Sequence, residues 1–245
     1  MKVTRLKTPA AATTAPRRNE TLASAAYDRL RTDIIAGALE PGRKLHIQSL
    51  CELYGIGLSP MREALNRVSR DGLVQQNDQR GFSVAPLGED DLADLTFTRC
   101  AINAIALKKS MERGDQAWEE GIVLAYHRMT RTPRPDPDAD TGEGQDWSAA
   151  HRAFHASLIA ACGSPRLIAY CEELFDAADR YRFLNRRRVV ANYRRRDDHR
   201  PIMDAVLARD ADKAVRMLDQ HFTRTADYGR DELRQLATKR RRRAA

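Results

Sequence analysis

PGRKLHIQSLCELYGIGLSPMREALNRVSRDGLVQQNDQRGFSVAPL, residues 41–87, is the stretch that decides how this 245-residue chain folds. In IQSLCELYG (47–55), Leu50, Cys51 and Tyr54 fall on one helical side, and a turn from Gly55 to Gly57 follows. In SPMREALNRVSRDGLV (59–74), Met61, Ala64, Leu65 and Val68 recur at the helical period and predict an inward stripe. Ser59 is the expected N-cap, Pro60 has the fixed φ that suits a first turn, and Gly72 is expected to stop the helix. LVQQNDQRGFSVAPL (73–87) predicts two short strands around a polar turn from Asn77 to Gly81. Upstream, TLASAAYDRLRTDIIAGAL (21–39) predicts an amphipathic helix capped by Thr21, with Leu22, Ala26, Leu30, Ile34 and Leu39 near one face. Helix, helix, turn, helix and hairpin in that order is the plan of a winged helix-turn-helix.

Beyond Pro86 the periodicity is helical throughout. Helices are expected over roughly 89–113, 115–130, 146–162, 165–186, 195–209 and 211–236, interrupted by an exposed loop, TPRPDPDADTGEGQD, at 132–146. The expected fold is mainly α: an N-terminal winged helix-turn-helix followed by an all-α antiparallel helical bundle. The divisions drawn are a disordered basic arm (1–20), the winged unit (21–87), a helical domain for effector binding and dimerisation (88–228) and a basic C-terminal tail (229–245).

The net charge of +8 is unevenly spread. Residues 1–20 carry net +4 and residues 230–245 net +5, which leaves the body near neutral at −1. Two basic tails strengthen contact with any polyanion without selecting a sequence. No apolar run reaches the length of about 18 residues that a membrane helix needs, so a spanning protein is excluded. The first twenty residues lack the apolar centre of a secretory signal, and Cys51, Cys100, Cys162 and Cys171 form no CxxC pair. A cytoplasmic protein without disulfides is expected.

A helix that reads DNA exposes side chains at its N-terminal end to base edges while its other face packs inward. Arg62 lies off the Met61/Leu65/Val68 stripe and can bond the two major-groove acceptors of guanine, or a phosphate. Ser59 and the free amides of the first turn can hold a phosphate, Gln48 is a further candidate, and Arg80 with Gly81 at the hairpin tip can enter the minor groove.

The helical half carries a second signal. The chain has six histidines, at 46, 127, 151, 155, 199 and 221. His151 and His155 in WSAAHRAFHASLIAAC are four apart and project from one helical face, bordered by Trp147, Phe154 and Leu158. His199 shares a side with Ile202 and Val206, and His221 with Ala214, Met217 and Leu218. Three helices thus each offer imidazole inward, and neutral imidazole is the commonest metal ligand. The bland alternative is a set of hydrogen-bonded core histidines.

Residues 41–87 resemble the DNA-binding domain of the GntR family of bacterial transcription regulators. The resemblance rests on Pro60-Met61-Arg62-Glu63-Ala64-Leu65, the exit Asp71-Gly72-Leu73-Val74 and the wing Arg80-Gly81-Phe82-x-Val84. It implies contact with double-stranded operator DNA from Gln48, Ser59, Pro60, Met61, Arg62, Arg80 and Gly81. One departure stands out: the family usually has an Arg two residues before the Pro, and this chain has Leu58, so a half-site unlike the family's usual one is expected. Residues 91–228 resemble the helical (FCD-type) effector domain of the FadR subgroup, on Arg99, His151-x-x-Phe154-His155, His199-x-x-Ile202-x-x-Ala205 and His221-Phe222.

That second resemblance implies a divalent metal on an acid and three histidines. His155, His199 and His221 match the histidines, and His151 stands where the acid would be. An all-nitrogen set favours Zn, with Ni, Co or Cu as alternatives, over harder ions. It further implies a small carboxylate effector, a dicarboxylate by likeness to regulators of dicarboxylate catabolism, held by the metal and by Arg99, with Asn103 and Arg182 beside it and Arg180 a weaker candidate. A homodimer reading two half-sites follows from the same likeness.

Three other classes stay open on the sequence. A metal sensor, in which the ion is the signal, uses the same ligands. A nonspecific DNA binder relies on the tails and predicts a steep salt dependence. A metallohydrolase built on His151-x-x-x-His155 needs a Glu after the first His, where this chain has Arg152; GxSxG, P-loop and complete dinucleotide-binding patterns are also missing from the sequence. No enzymatic activity is therefore expected.

Overall fold

A computed structural model describes residues 21–77, 81–133, 145–184 and 197–244. The elements run α1 (Leu22–Ile35), β1 (Lys44–Leu45), α2 (Ile47–Tyr54), α3 (Leu58–Arg70), β2 (Val74–Asn77), β3 (Gly81–Val84), α4 (Glu89–Arg113), α5 (Gln116–Arg131), α6 (Gln145–Ile159), α7 (Pro165–Leu184), α8 (His199–Leu207) and α9 (Ala211–Ala244). This is a winged helix-turn-helix followed by a helical bundle, as the sequence predicts.

Thr21 caps α1 through its hydroxyl, which accepts from the Ser24 amide at 3.2 Å. Ala26, Leu30 and Ile34 of α1 face Met61, Ala64, Leu65 and Val68 of α3, and Phe82 and Val84 of the wing complete this core. Met61, Leu65 and Val68 are wholly buried, each worth about 1.5–3 kcal/mol of transfer free energy. Leu22, expected on the apolar face, is 59% exposed, because the first helical residue lies beyond the reach of α3.

The cap of α3 differs from the expected one. Gly57, in extended conformation, is the N-cap and the helix starts at Leu58, so Ser59 lies inside the first turn and caps nothing. The wing has a third strand that the sequence reading lacked. β1 pairs antiparallel with β3, Lys44 against Ser83 and Leu45 against Phe82, giving the sheet order β1-β3-β2. Gly81 opens β3 at a φ of 81°, a left-handed conformation that favours glycine.

A second core forms among the long helices, centred on Leu107, Ile122, Phe154, Leu158, Ile202 and Leu218, and α9 packs along α4 and α8. The helix expected over 211–236 continues to Ala244. Arginine and lysine are good helix formers, so the basic run at 239–243 extends α9 where a solvated tail was expected. The basic arm (1–20), most of the loop at 132–146 and the clusters Arg186–Arg188 and Arg194–Arg196 lie outside the described residues, as does Arg80.

The two cores meet along α7. Arg31 of α1 pairs with Asp176, the Arg180 guanidinium donates to the Ala85 carbonyl, and the Tyr181 hydroxyl meets the Asp91 carboxylate and accepts from the Gly88 amide at 3.2 Å. α7 is therefore fastened to the winged half and to the 85–88 connection leaving it.

Candidate functional site

The outward face of α3 is formed by Leu58, Ser59, Arg62, Glu63 and Asn66, all exposed, with Pro60 half-buried behind them. Gln48, on the first turn of α2, is exposed too, and so is Gly81 at the base of the wing. Met61 does not belong to this face: it is wholly buried against α1, so its side chain serves the core and not DNA. α3 carries Arg67 and Arg70 in its last turn and no acid in its first, so no carboxylate of that turn opposes an anion at its N-terminus.

In the helical half the histidines converge. His151 and His155 descend from α6, His199 is the first residue of α8 and His221 projects from α9; all four are buried. One nitrogen from each lies within 4.8 Å of the other three. The Nε2 atoms of His151 and His155 stand 3.2 Å apart. Metal–nitrogen bonds of about 2.0–2.1 Å at tetrahedral angles put neighbouring nitrogens about 3.3 Å apart, so this edge already has the spacing of two ligands on one ion. His46 and His127 are exposed and take no part.

Each ring is placed by its surroundings. His151 stacks on Trp147 at 4.9 Å, and Phe175 tilts against both His151 and His155 at 5.7 Å. The Asp197 carboxylate accepts from the amides of His199 and Arg200 at 3.1 and 3.4 Å, fixing the start of α8, and its Oδ1 lies 3.8 Å from His199 Nδ1. Tyr126 bonds the other oxygen of Asp197. A carboxylate beside an imidazole is the common arrangement behind a metal ligand.

Burial holds His151, His155 and His221 well below the ordinary histidine range. His155 adds to this for His151, His221 and then His199 for His155, and His199 and then Arg99 for His221. These rings are neutral at pH 7, the state in which a lone pair is available to a cation. His155 Nδ1 is buried with no hydrogen-bond partner among the described residues, which a purely hydrogen-bonded core histidine would not leave open. Three neutral rings, a fourth imidazole buried against them and a ligand-like edge fit a borderline transition metal ion.

Arg99 of α4 is buried beside this cluster, its guanidinium 3.7 Å above the Phe222 ring and 5.2 Å from Phe175. Asn103, one turn on, is buried and donates its amide to the Arg99 carbonyl at 2.9 Å. Arg182 is buried too, but Asp179 takes it bidentately, at 2.8 and 3.2 Å, with Ser148 as a third partner. Arg180 points the other way, to Ala85. Of the residues expected around an effector, Arg99 lies beside the histidines, Asn103 bonds the Arg99 carbonyl, and Asp179 offsets the charge of Arg182. A void of about 20 Å³ against Arg99, Phe222 and Tyr181 has room for a water, not an organic acid.

The sequence reading missed Asp176. This buried carboxylate of α7 pairs with Arg31 of α1 and with Arg152, the residue after His151, whose guanidinium lies 4.5 Å over Phe175. A cavity of about 290 Å³ between the two halves is lined by Asp176, Arg152, Arg31, Glu172, Tyr27 and Asp71. A carboxylate whose arginines lie on other helices leaves no periodic mark in a sequence.

Fold and site together define a DNA-binding regulator: a winged reading head fastened to a helical domain that brings four histidines together. Two family profiles match this chain, "Bacterial regulatory proteins, gntR family" over residues 22–84 and "FCD domain" over residues 94–224. The chain belongs to the GntR family, in its FadR-like subgroup with an FCD domain, and is a transcription regulator and not an enzyme. It is 34% identical over 200 residues, 80% of this chain and 90% of the relative, to the HTH-type transcriptional repressor GlaR of Escherichia coli. It is also 34% identical to the uncharacterised HTH-type regulator BphR of Paraburkholderia xenovorans, covering 82% of each. Among solved structures it shares its fold with E. coli McbR/YncC, at a TM-score of 0.67 and 18% identity, over 87% of this chain and 99% of that one. A GntR regulator from Rhodococcus sp. RHA1 has a TM-score of 0.64 at 20% identity, over 84% and 96%. No helix among the described residues is long and apolar enough to cross a membrane.

Proposed function

We propose that this regulator is a repressor whose hold on a double-stranded operator is set by a small carboxylate, bound at the four-histidine cluster with a divalent transition metal ion. The convergence of four buried imidazoles beside the buried Arg99 carries this reading. His151, His155, His199 and His221 would hold the ion, with Zn the best match and Ni, Co or Cu next. A bound ion supplies a Lewis-acid point for one carboxylate oxygen. Arg99 contributes a planar two-donor fork to the acid, and a dicarboxylate suits it because its far end can reach that fork. Asn103 gives one amide hydrogen to the Arg99 carbonyl and would have its second to donate to the acid. The name of the GlaR relative supports a repressor.

Gln48, Ser59, Pro60 and Arg62 would form the operator contacts, joined by Arg80 and Gly81 of the wing. Two copies would read the two half-sites of a pseudo-palindrome, working in the cytoplasm. Asp176 ties the reading head to the helix that carries His151 and His155, so a shift of α6 on ligand binding is felt at α1.

One observation favours a second reading. Four imidazoles fill a tetrahedral shell, the pattern of a closed structural site. In that case the ion is itself the signal, and an acid finds a place only on an ion that accepts five or six ligands. The test is metal content of the purified protein and of a His155→Ala/His199→Ala variant, with a thermal-shift screen of mono- and dicarboxylates. About one ion per chain, lost in the variant, and one acid that stabilises only the metal-bound form is the expected result. A protein that retains no transition metal from any of the four ions removes the metal from the reading.

A further inference from the structure

We propose that Leu58 reads the 5-methyl group of a pyrimidine, thymine in unmodified DNA, in the major groove of each operator half-site. Leu58 is a side chain that the core of the winged half does not use. Leu58 is the first residue of α3 and is 52% exposed. With Arg62 and Asn66 it forms a stripe at four-residue spacing, opposite the buried Met61, Ala64, Leu65 and Val68. Among the described residues of the winged half, Leu22 and Leu58 are the only large hydrophobic side chains left in solvent. Leu22 lies on the first turn of α1, whereas Leu58 lies where a reading helix meets base edges.

The space in front of it is open. At Gly57, the exposed N-cap, an added Cβ would meet nothing closer than the Pro60 ring at 3.9 Å, so neighbouring side chains do not hold this end of α3 away from a groove floor.

Leucine has no donor or acceptor, which narrows what it can select. The major-groove edges of guanine, adenine and cytosine present polar atoms, and an isobutyl group laid on them desolvates those atoms without replacing their hydrogen bonds. Thymine presents an apolar methyl, and contact between it and Leu58 removes apolar surface from water on both sides. 5-Methylcytosine carries the same methyl on a different hydrogen-bonding edge. Arg62, one turn on, is free to take a neighbouring guanine or a phosphate, so apolar and polar readout alternate along the stripe.

The experiment uses the full chain and DNA selected by it from random duplexes. Each thymine of the selected operator is replaced singly by deoxyuridine, which deletes only the methyl group, and affinity is measured at fixed salt for the wild type and for Leu58→Ala. One thymine per half-site is expected to be sensitive, roughly four-fold for one half-site and about fifteen-fold for both. Leu58→Ala is expected to melt as the wild type does and to bind the thymine and uracil operators equally. Putting 5-methylcytosine in place of the sensitive thymine separates the methyl from the base edge. Retention of part of the affinity relative to unmethylated cytosine supports methyl readout, and no difference between the two overturns it. An operator in which every thymine tolerates uracil overturns the assignment, and so does a sensitive thymine whose sensitivity survives in Leu58→Ala.

Discussion

Arg31 and Asp176 form an ion pair between α1 of the reading head and α7 of the helical domain, and the same carboxylate takes Arg152 from α6. Asp176 is 8% exposed, so water cannot readily replace either partner. Three helices from two domains thus share one anion, and one of them carries two of the four histidines.

Asp176→Asn is expected to cost about 1–3 kcal/mol of stability, below the roughly 3–5 kcal/mol of breaking a fully buried pair, because both arginines are partly exposed. Metal content should stay at the wild-type level while the change in operator affinity on adding effector shrinks. A variant with the full wild-type response to effector would remove Asp176 from the path between the two sites.

Met61→Ala tests the winged core. Met61 is wholly buried against α1, so the substitution should destabilise the winged half by about 2–5 kcal/mol, visible in denaturant unfolding. Arg62→Ala, at an exposed position, should leave stability within about 0.5 kcal/mol and weaken operator binding. Equal loss of stability in both would contradict the division of α3 into a core face and a reading face.

The histidines give a signed pH dependence. Folding depresses the pKa of His151, His155 and His221 below about 6.5, the ordinary value that the unfolded chain retains. Below that pH the unfolded chain binds protons that the folded chain does not. Stability is therefore full above pH 6.5 and falls as pH drops, with a slope of about 1.4 kcal/mol per unit for each such histidine until its folded pKa is reached. Melting temperature measured from pH 7.5 to 5.5 in chelator should show this fall. Adding Zn should raise the whole curve and lose effect toward the acid end, because protons compete for the same nitrogens. A flat profile in chelator would mean that these rings are not buried neutral.

Much of the reading head is legible in residues 41–87 because its signals are local. The Met61/Leu65/Val68 period, Gly72 and the polar turn of the wing each lie within one element. β1 escapes because two residues carry no period. The misplaced cap of α3 comes from a competition the sequence does not settle: Ser59 has the better capping side chain, but the turn from Gly55 leaves Gly57 extended and the helix begins before Ser59. In the helical domain, the pairing of His151 with His155 follows from four-residue spacing, whereas bringing His199 and His221 to them depends on how α8 and α9 pack. The roles of Arg180, Arg182 and Asp176 depend on partners in other elements or on which neighbour wins an arginine, and spacing alone does not decide that.

The Arg99 fork predicts a separation of effects. Arg99→Ala should keep the metal and the wild-type affinity for operator, and lose at least ten-fold in apparent affinity for the acid, since one bidentate charged contact disappears. Arg99→Lys should recover only part of it, because an ammonium cannot make the planar pair. Unchanged acid affinity in Arg99→Ala would place the acid elsewhere.

The most direct measurement is operator affinity of the metal-replete protein, followed by fluorescence anisotropy while mono- and dicarboxylates are titrated in, with chelated protein in parallel. One acid should weaken operator binding ten-fold or more in the metal-replete wild type, and leave both the chelated protein and His155→Ala/His199→Ala unmoved. Affinity that follows addition and removal of the ion, with no acid having any effect, would contradict effector control and make the metal itself the signal.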